Sequence, residues 1–181
     1  LHYPLRRQRQ MCIRDRLFEQ STLATGSDLW VLSTREAVAV PFLASPAFEG
    51  DGTFSPDGRW VAYVSDESGR QEVYVRGFKS GGRVQISVVG GEWPIWSHDG
   101  TRLFFSEFRR LMAVDFDGAG TDPVVSRPKE VLQGFDFGRG NADLLPDGAS
   151  FVLVQPATPG LVEIRVVTGW TGELQDALPA R

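Results

Sequence analysis

Phe54-Ser55-Pro56-Asp57-Gly58-Arg59-Trp60-Val61-Ala62-Tyr63-Val64-Ser65 returns 42 residues later as Trp96-Ser97-His98-Asp99-Gly100-Thr101-Arg102-Leu103-Phe104-Phe105-Ser106. A third, more altered copy spans Leu145-Pro146-Asp147-Gly148-Ala149-Ser150-Phe151-Val152-Leu153-Val154, 48 residues after the second. Each copy reads as strand, Asp-Gly turn, strand. A two-residue hairpin loop needs φ > 0, which Asp-Gly supplies at low steric cost. Pro56 has no N–H for a ladder, so the first strand must stop there. The runs after each turn are β-branched or aromatic and apolar on both faces, which suits strands buried between neighbouring sheets.

A period of this length built from short strands is the signature of propeller blades. The expected fold is therefore all-β: a β-propeller segment of about three to four antiparallel blades. An incomplete blade is expected over 17–48, with strands at Asp28–Leu32 and Val38–Leu43. A full blade over 49–90 would have strands at 52–55, 60–65, 72–76 and 84–87. The blade over 91–133 would have strands at 93–97, 103–106, 111–116 and 130–132. The last blade and tail occupy 134–181, with strands at 141–145, 151–155 and 162–168. Trp170, Leu174 and Leu178 at helical spacing, with Pro179 as a stop, predict a short closing helix.

Residues 1–16 differ from the rest. Arg6 to Arg16, R-R-Q-R-Q-M-C-I-R-D-R, reads as the in-frame translation of a transposase-type sequencing adapter, so this stretch is set aside as non-native and disordered. The alternative is a natural basic arm. Leaving out its five arginines and Asp15 reduces 19 basic and 23 acidic residues to 14 and 22, a net charge of −8. Such a balance disfavours nucleic acid, whose phosphates need clustered Lys and Arg. The one cysteine, Cys12, lies in the same stretch, so the remainder has no thiolate ligand, nucleophile or disulfide. No apolar run is long enough to span a bilayer.

From residue 17 onward the chain resembles the TolB-like family of bacterial propellers, built from WD40-like (PD40) repeats. The resemblance rests on F-S-P-D-G-R-W-V-A-Y-V-S, on D-E-S-G-R-Q-E-V-Y-V-R (66–76), and on Q-I-S-V-V-G-G-E-W-P-I-W-S-H-D-G (85–100). It implies a binding or sensing scaffold with a protein or peptide partner, in a periplasmic or extracytoplasmic setting. The tail V-V-T-G-W-T-G-E-L-Q (166–175) is similar to the end of propellers attached to bacterial eukaryotic-like serine/threonine kinases, with Gly169 and Gly172 departing from their Asn-Trp-x-Glu-Glu-Leu ending. That likeness implies a kinase domain upstream.

Little in the sequence asks for chemistry, and no cofactor is implied. Asp136-Phe137-Gly138 spells a kinase motif, but no H-R-D-type catalytic loop or Gly-rich phosphate loop accompanies it. Ser97-His98-Asp99 is contiguous in a turn and so cannot converge as a triad. Gly134 to Gly140 is glycine-rich but precedes a strand, so it lacks the helix N-terminus that cradles phosphate. Asp115, Asp117 and Asp122 alternate around glycines like part of a calcium loop, but the closing bidentate Glu is missing. They stand as a calcium candidate against a solvated turn. Trp30, Trp60, Trp96, Phe104 and Phe105 are expected to fill the wedges between blades. Glu92 and Trp93, just ahead of an inner strand, are the residues expected at the channel face, where a partner would bind.

Overall fold

The computed structural model describes residues 15–22, 26–135, 137, 142–148, 150–158 and 161–168. Fifteen strands and no helix occur among them, arranged as four antiparallel sheets in chain order. The first sheet holds β1 (Asp15–Thr22), β2 (Gly26–Ser33) and β3 (Val38–Leu43). The second holds β4 (Glu49–Phe54), β5 (Trp60–Ser65), β6 (Glu72–Gly77) and β7 (Arg83–Gln85). The third holds β8 (Glu92–Trp96), β9 (Arg102–Glu107) and β10 (Arg110–Asp117), with β11 (Val124–Val125) and β12 (Lys129–Gln133) both on β10. The fourth holds β13 (Ala142–Leu144), β14 (Ser150–Thr158) and β15 (Leu161–Thr168).

The repeated stretch forms the turn from first to second strand in three blades, and its chemistry repeats atom for atom in two. Ser55 Oγ donates to Asp57 Oδ1 at 2.6 Å and accepts the Trp60 N–H at 3.0 Å, while the Arg59 N–H donates to Asp57 Oδ1 at 3.0 Å. Ser97, Asp99, Thr101 and Arg102 reproduce this at 2.7, 3.0 and 2.9 Å. The loop is not the two-residue turn that Asp-Gly suggested. The Gly58 N–H bonds the Ser55 carbonyl, and the Ser55 N–H bonds the Trp60 carbonyl, so Pro56 to Arg59 form a four-residue loop. Only the glycine takes a positive φ, +71° at Gly58, +72° at Gly100 and +67° at Gly148. Pro at the second position of such a turn fits its fixed φ, and aspartate caps the backbone beyond it.

Three apolar clusters lie between successive sheets. Leu29, Tyr63 and Tyr74 join the first two, and Trp60, Val64, Trp96 and Phe116 join the next pair. Phe104, Leu111, Phe151 and Leu153 join the last pair. The Phe116 ring stands edge-on to both Trp60 and Trp96, at 5.6 and 4.8 Å between centroids. Thus Trp60, Trp96, Phe104 and Phe105 fill wedges as expected, whereas Trp30 is half-buried. Burying such rings is the main stabilising term, and deleting one costs about 3–5 kcal/mol.

The described strands depart from the expected bounds in places. A strand, β1, begins at Asp15, and Asp15 and Arg16 pair with Ser33 and Leu32, inside the run set aside as adapter-derived. The outer strand expected at 84–87 is the shorter β7, because Ile86 and Ser87 turn in to bond the Val73 carbonyl. The outer edge of the third blade is split into β11 and β12 around Pro128. The closing helix expected at 170–178 lies outside the described residues.

Candidate channel-face site

The inner strands β4 and β8 share an unusual backbone. In β4 the ladder jumps from Gly50↔Val64 to Thr53↔Ala62, so Asp51 and Gly52 together face one residue. In β8 it jumps from Glu92↔Ser106 to Ile95↔Phe104, so Trp93 and Pro94 do the same. The first bulged residue is left-handed in both, with φ +52° at Asp51 and +55° at Trp93. Glycine ordinarily takes this position, because a Cβ there meets the backbone at a cost of about 1–2 kcal/mol. Both residues stand six places ahead of the Asp of the Asp-Gly turn. Asn141, at the same offset in the last copy, lies outside the described residues.

The β4 bulge is braced from both neighbouring blades. The Asp51 N–H donates to Glu19 Oε1 at 2.7 Å, and Trp96 Nε1 donates to the Thr53 carbonyl at 3.3 Å. A Cβ on Gly52 would fall 2.3 Å from Leu17 Cδ2, so the inner strand runs hard against the first blade. Glu92 is exposed and Trp93 half-buried. Beside them Phe108, at the tip of the β9–β10 hairpin, is 79% exposed and also left-handed at φ +55°.

The approach to Glu92 is held by a buried carboxylate that no motif announced. Glu72 is fully buried and accepts from Arg70 Nε at 2.5 Å, from Ser87 Oγ, and from the Gly90 N–H at 3.1 Å on each oxygen. Gly90 has φ +110°, and a Cβ on Gly91 would lie 2.6 Å from Ser87 Oγ. The Gly-Gly pair is therefore the only close fit between this clamp and the next inner strand.

The calcium candidates are not assembled. Asp115 Oδ1 accepts from Arg102 Nε at 3.2 Å, with Lys129 Nζ 4.0 Å from Oδ2. Asp117 Oδ1 accepts the Ala119 N–H at 3.0 Å, and Asp122 Oδ1 leans on Gly82. Among the described residues no three His, Cys, Asp or Glu side chains form a group that could hold a metal. His98 is an exposed turn residue. The backbone N–H of Thr101, then the Ser97 hydroxyl, hold the Asp99 carboxyl below its ordinary value. Asp136 and Gly138 lie outside the described residues, and no described helix is long and apolar enough to cross a membrane.

No family model matches the chain. An uncharacterized peptidase YuxL of Bacillus subtilis is 30% identical over 80 residues, which are 42% of this chain and 12% of that protein. TolB of Acinetobacter baumannii matches in structure with a TM-score of 0.63 at 22% identity, covering 85% of this chain and 41% of TolB. A puromycin-hydrolyzing peptidase of Mycobacterium tuberculosis matches with a TM-score of 0.56 at 16% identity, over 86% of this chain and 27% of the peptidase. The chain thus spans less than half the length of each of these proteins. Together with the four sheets in chain order and the repeated turn, these likenesses establish that the chain has the β-propeller fold seen in TolB.

Proposed function

We propose that this propeller segment is a non-catalytic scaffold that binds a protein or peptide partner at the end of the blades carrying Glu92 and Trp93. The observation that supports this most is the left-handed bulge repeated at Asp51 and Trp93. A strained backbone kept by a Trp, where glycine would sit without cost, fits a residue retained for contact. A half-buried Trp on a rigid strand can anchor an interface, and the exposed Phe108 at the neighbouring hairpin tip adds apolar surface at the same end. Selection from a random displayed-peptide library tests the reading. Peptides enriched on the chain should fail to enrich on Trp93→Ala. Enrichment that survives Trp93→Ala and Glu92→Gln would contradict it.

A second reading is supported by the likeness to the two peptidases: an accessory propeller whose catalytic domain belongs to another part of a longer polypeptide. An oligopeptidase or a serine/threonine kinase would both fit, the latter through the tail resemblance. Sequencing the source DNA across the Arg16–Leu17 junction tests it. A hydrolase or kinase core in the continuous reading frame would favour this reading. Further repeats behind a signal peptide would favour the free scaffold.

A further inference from the structure

Each inner strand starts at the Trp93 end and finishes at the opposite end, where a cleft of about 500 Å³ opens between the second and third blades. That size falls within the range of small-ligand sites, about 300–1,000 Å³. Its aromatic wall is Phe54 and Phe78, edge to face at 4.9 Å between centroids. Two cations border it. Arg59 Nη2 donates to the Gly120 carbonyl at 3.2 Å, which fixes the guanidinium at the lip. Lys79 Nζ stands 5.7 Å from the Phe78 ring centroid. Among the described residues neither cation has a carboxylate within ion-pair distance.

The carboxylates that border the cleft are differently placed. Asp57 is turned into its own loop, where Oδ1 accepts from Ser55 Oγ and the Arg59 N–H. Asp15, at the start of β1, also lines the cleft and belongs to the run read from the sequence as non-native. Beside the aromatic wall stand two cations that carry no ion pair among the described residues. We propose that this cleft binds a carboxylate carried on an aromatic or bulky apolar body. Arg59 and Lys79 would take the carboxylate through charge-assisted hydrogen bonds, and the body would stack on Phe54 and Phe78. The site is separate from Glu92 and Trp93, so its failure would leave the partner-binding reading untouched.

The same chemistry is found in a free aryl carboxylate and in the C-terminal residue of a peptide. Titration of the chain by NMR with 3-phenylpropionate and with N-acetyl-L-phenylalanine separates the two, and 3-phenylpropionamide serves as the neutral control. The expected result is saturable binding of at least one acid, with the amide weaker by about tenfold or more, the loss that follows from a missing charged hydrogen bond. The tighter acid identifies the source. Lys79→Gln, which changes an exposed side chain, should weaken the acids by about tenfold with unchanged melting temperature, and Arg59→Gln should weaken them likewise, with a small loss of stability from the bonds to Ala119 and Gly120. Equal affinity for acid and amide, unchanged affinity in both variants, or no saturable binding of either acid up to millimolar concentration would overturn the proposal.

Discussion

Replacing Glu72 by Ala should be among the most damaging single changes in the second blade. The carboxylate is fully buried and serves three donors: Arg70 Nε, Ser87 Oγ and the Gly90 N–H. Ser87 Oγ in turn accepts the Val73 N–H at 2.8 Å, so the clamp reaches into β6. Arg70 is largely exposed and regains water when its partner goes. Its ion pair therefore contributes little, as exposed pairs do. Ser87 has no such recourse, whereas the Gly90 N–H is only partly buried and can be rehydrated in part. One orphaned buried donor at about 1–3 kcal/mol, plus a small cavity, gives a loss of about 2–4 kcal/mol. For a chain of this size that corresponds to a melting-temperature drop of about 4–16 °C. Urea denaturation of the wild type, Glu72→Ala and Glu72→Gln checks the estimate. The Gln variant keeps an acceptor and should lose roughly half as much. Hydrogen exchange should report faster opening at Gly90, directly ahead of Glu92. A loss below about 1 kcal/mol for Glu72→Ala, with Gly90 still protected, would refute the clamp.

Three further outcomes follow from the same geometry. Phe108→Gly should stabilise the chain by roughly 0.5–1 kcal/mol, since relief of the left-handed backbone exceeds the entropy cost of glycine and an exposed ring gives up little burial; a lowered melting temperature would count against it. Gly91→Ala should cost about 1–3 kcal/mol through overlap with Ser87, read by chemical denaturation. Because the folded-state pKa of Asp99 is lowered, its stabilisation is present above the unfolded value and is lost as pH falls through the folded one. The stability gap between wild type and Asp99→Asn should therefore be visible at neutral pH and should close below about pH 4.

The fold was legible because the turn chemistry is local. Ser55, Pro56, Asp57 and Gly58 satisfy each other within one loop, so their identities show wherever the loop recurs. Even so, Asp-Gly alone suggested a tighter hairpin than the one formed, because the serine that widens the loop acts from outside the pair. Long-range features left no such trace. Glu72 and Glu49 look like surface charges in the sequence, yet both are buried, and their partners Ser87 and Ser45 could not be paired with them from spacing alone. The bulges at Asp51 and Trp93 escaped notice because neither residue is a glycine. A signal was nonetheless present: both precede an Asp-Gly pair by six residues, as Asn141 does. Trp93 was singled out from its place ahead of an inner strand. The backbone geometry adds a reason to regard that end of the blades as the contact surface.

The most direct test of that surface is calorimetric titration of a library-selected peptide into the wild type, Trp93→Ala and Val124→Ala. Val124 is 68% exposed on the outer strand of the third blade and serves as the control. The account predicts that Trp93→Ala weakens binding by about tenfold or more, the loss of an aromatic anchor, while Val124→Ala leaves it unchanged. Equal affinity for wild type and Trp93→Ala, or a loss confined to Val124→Ala, would place the contact elsewhere and contradict it.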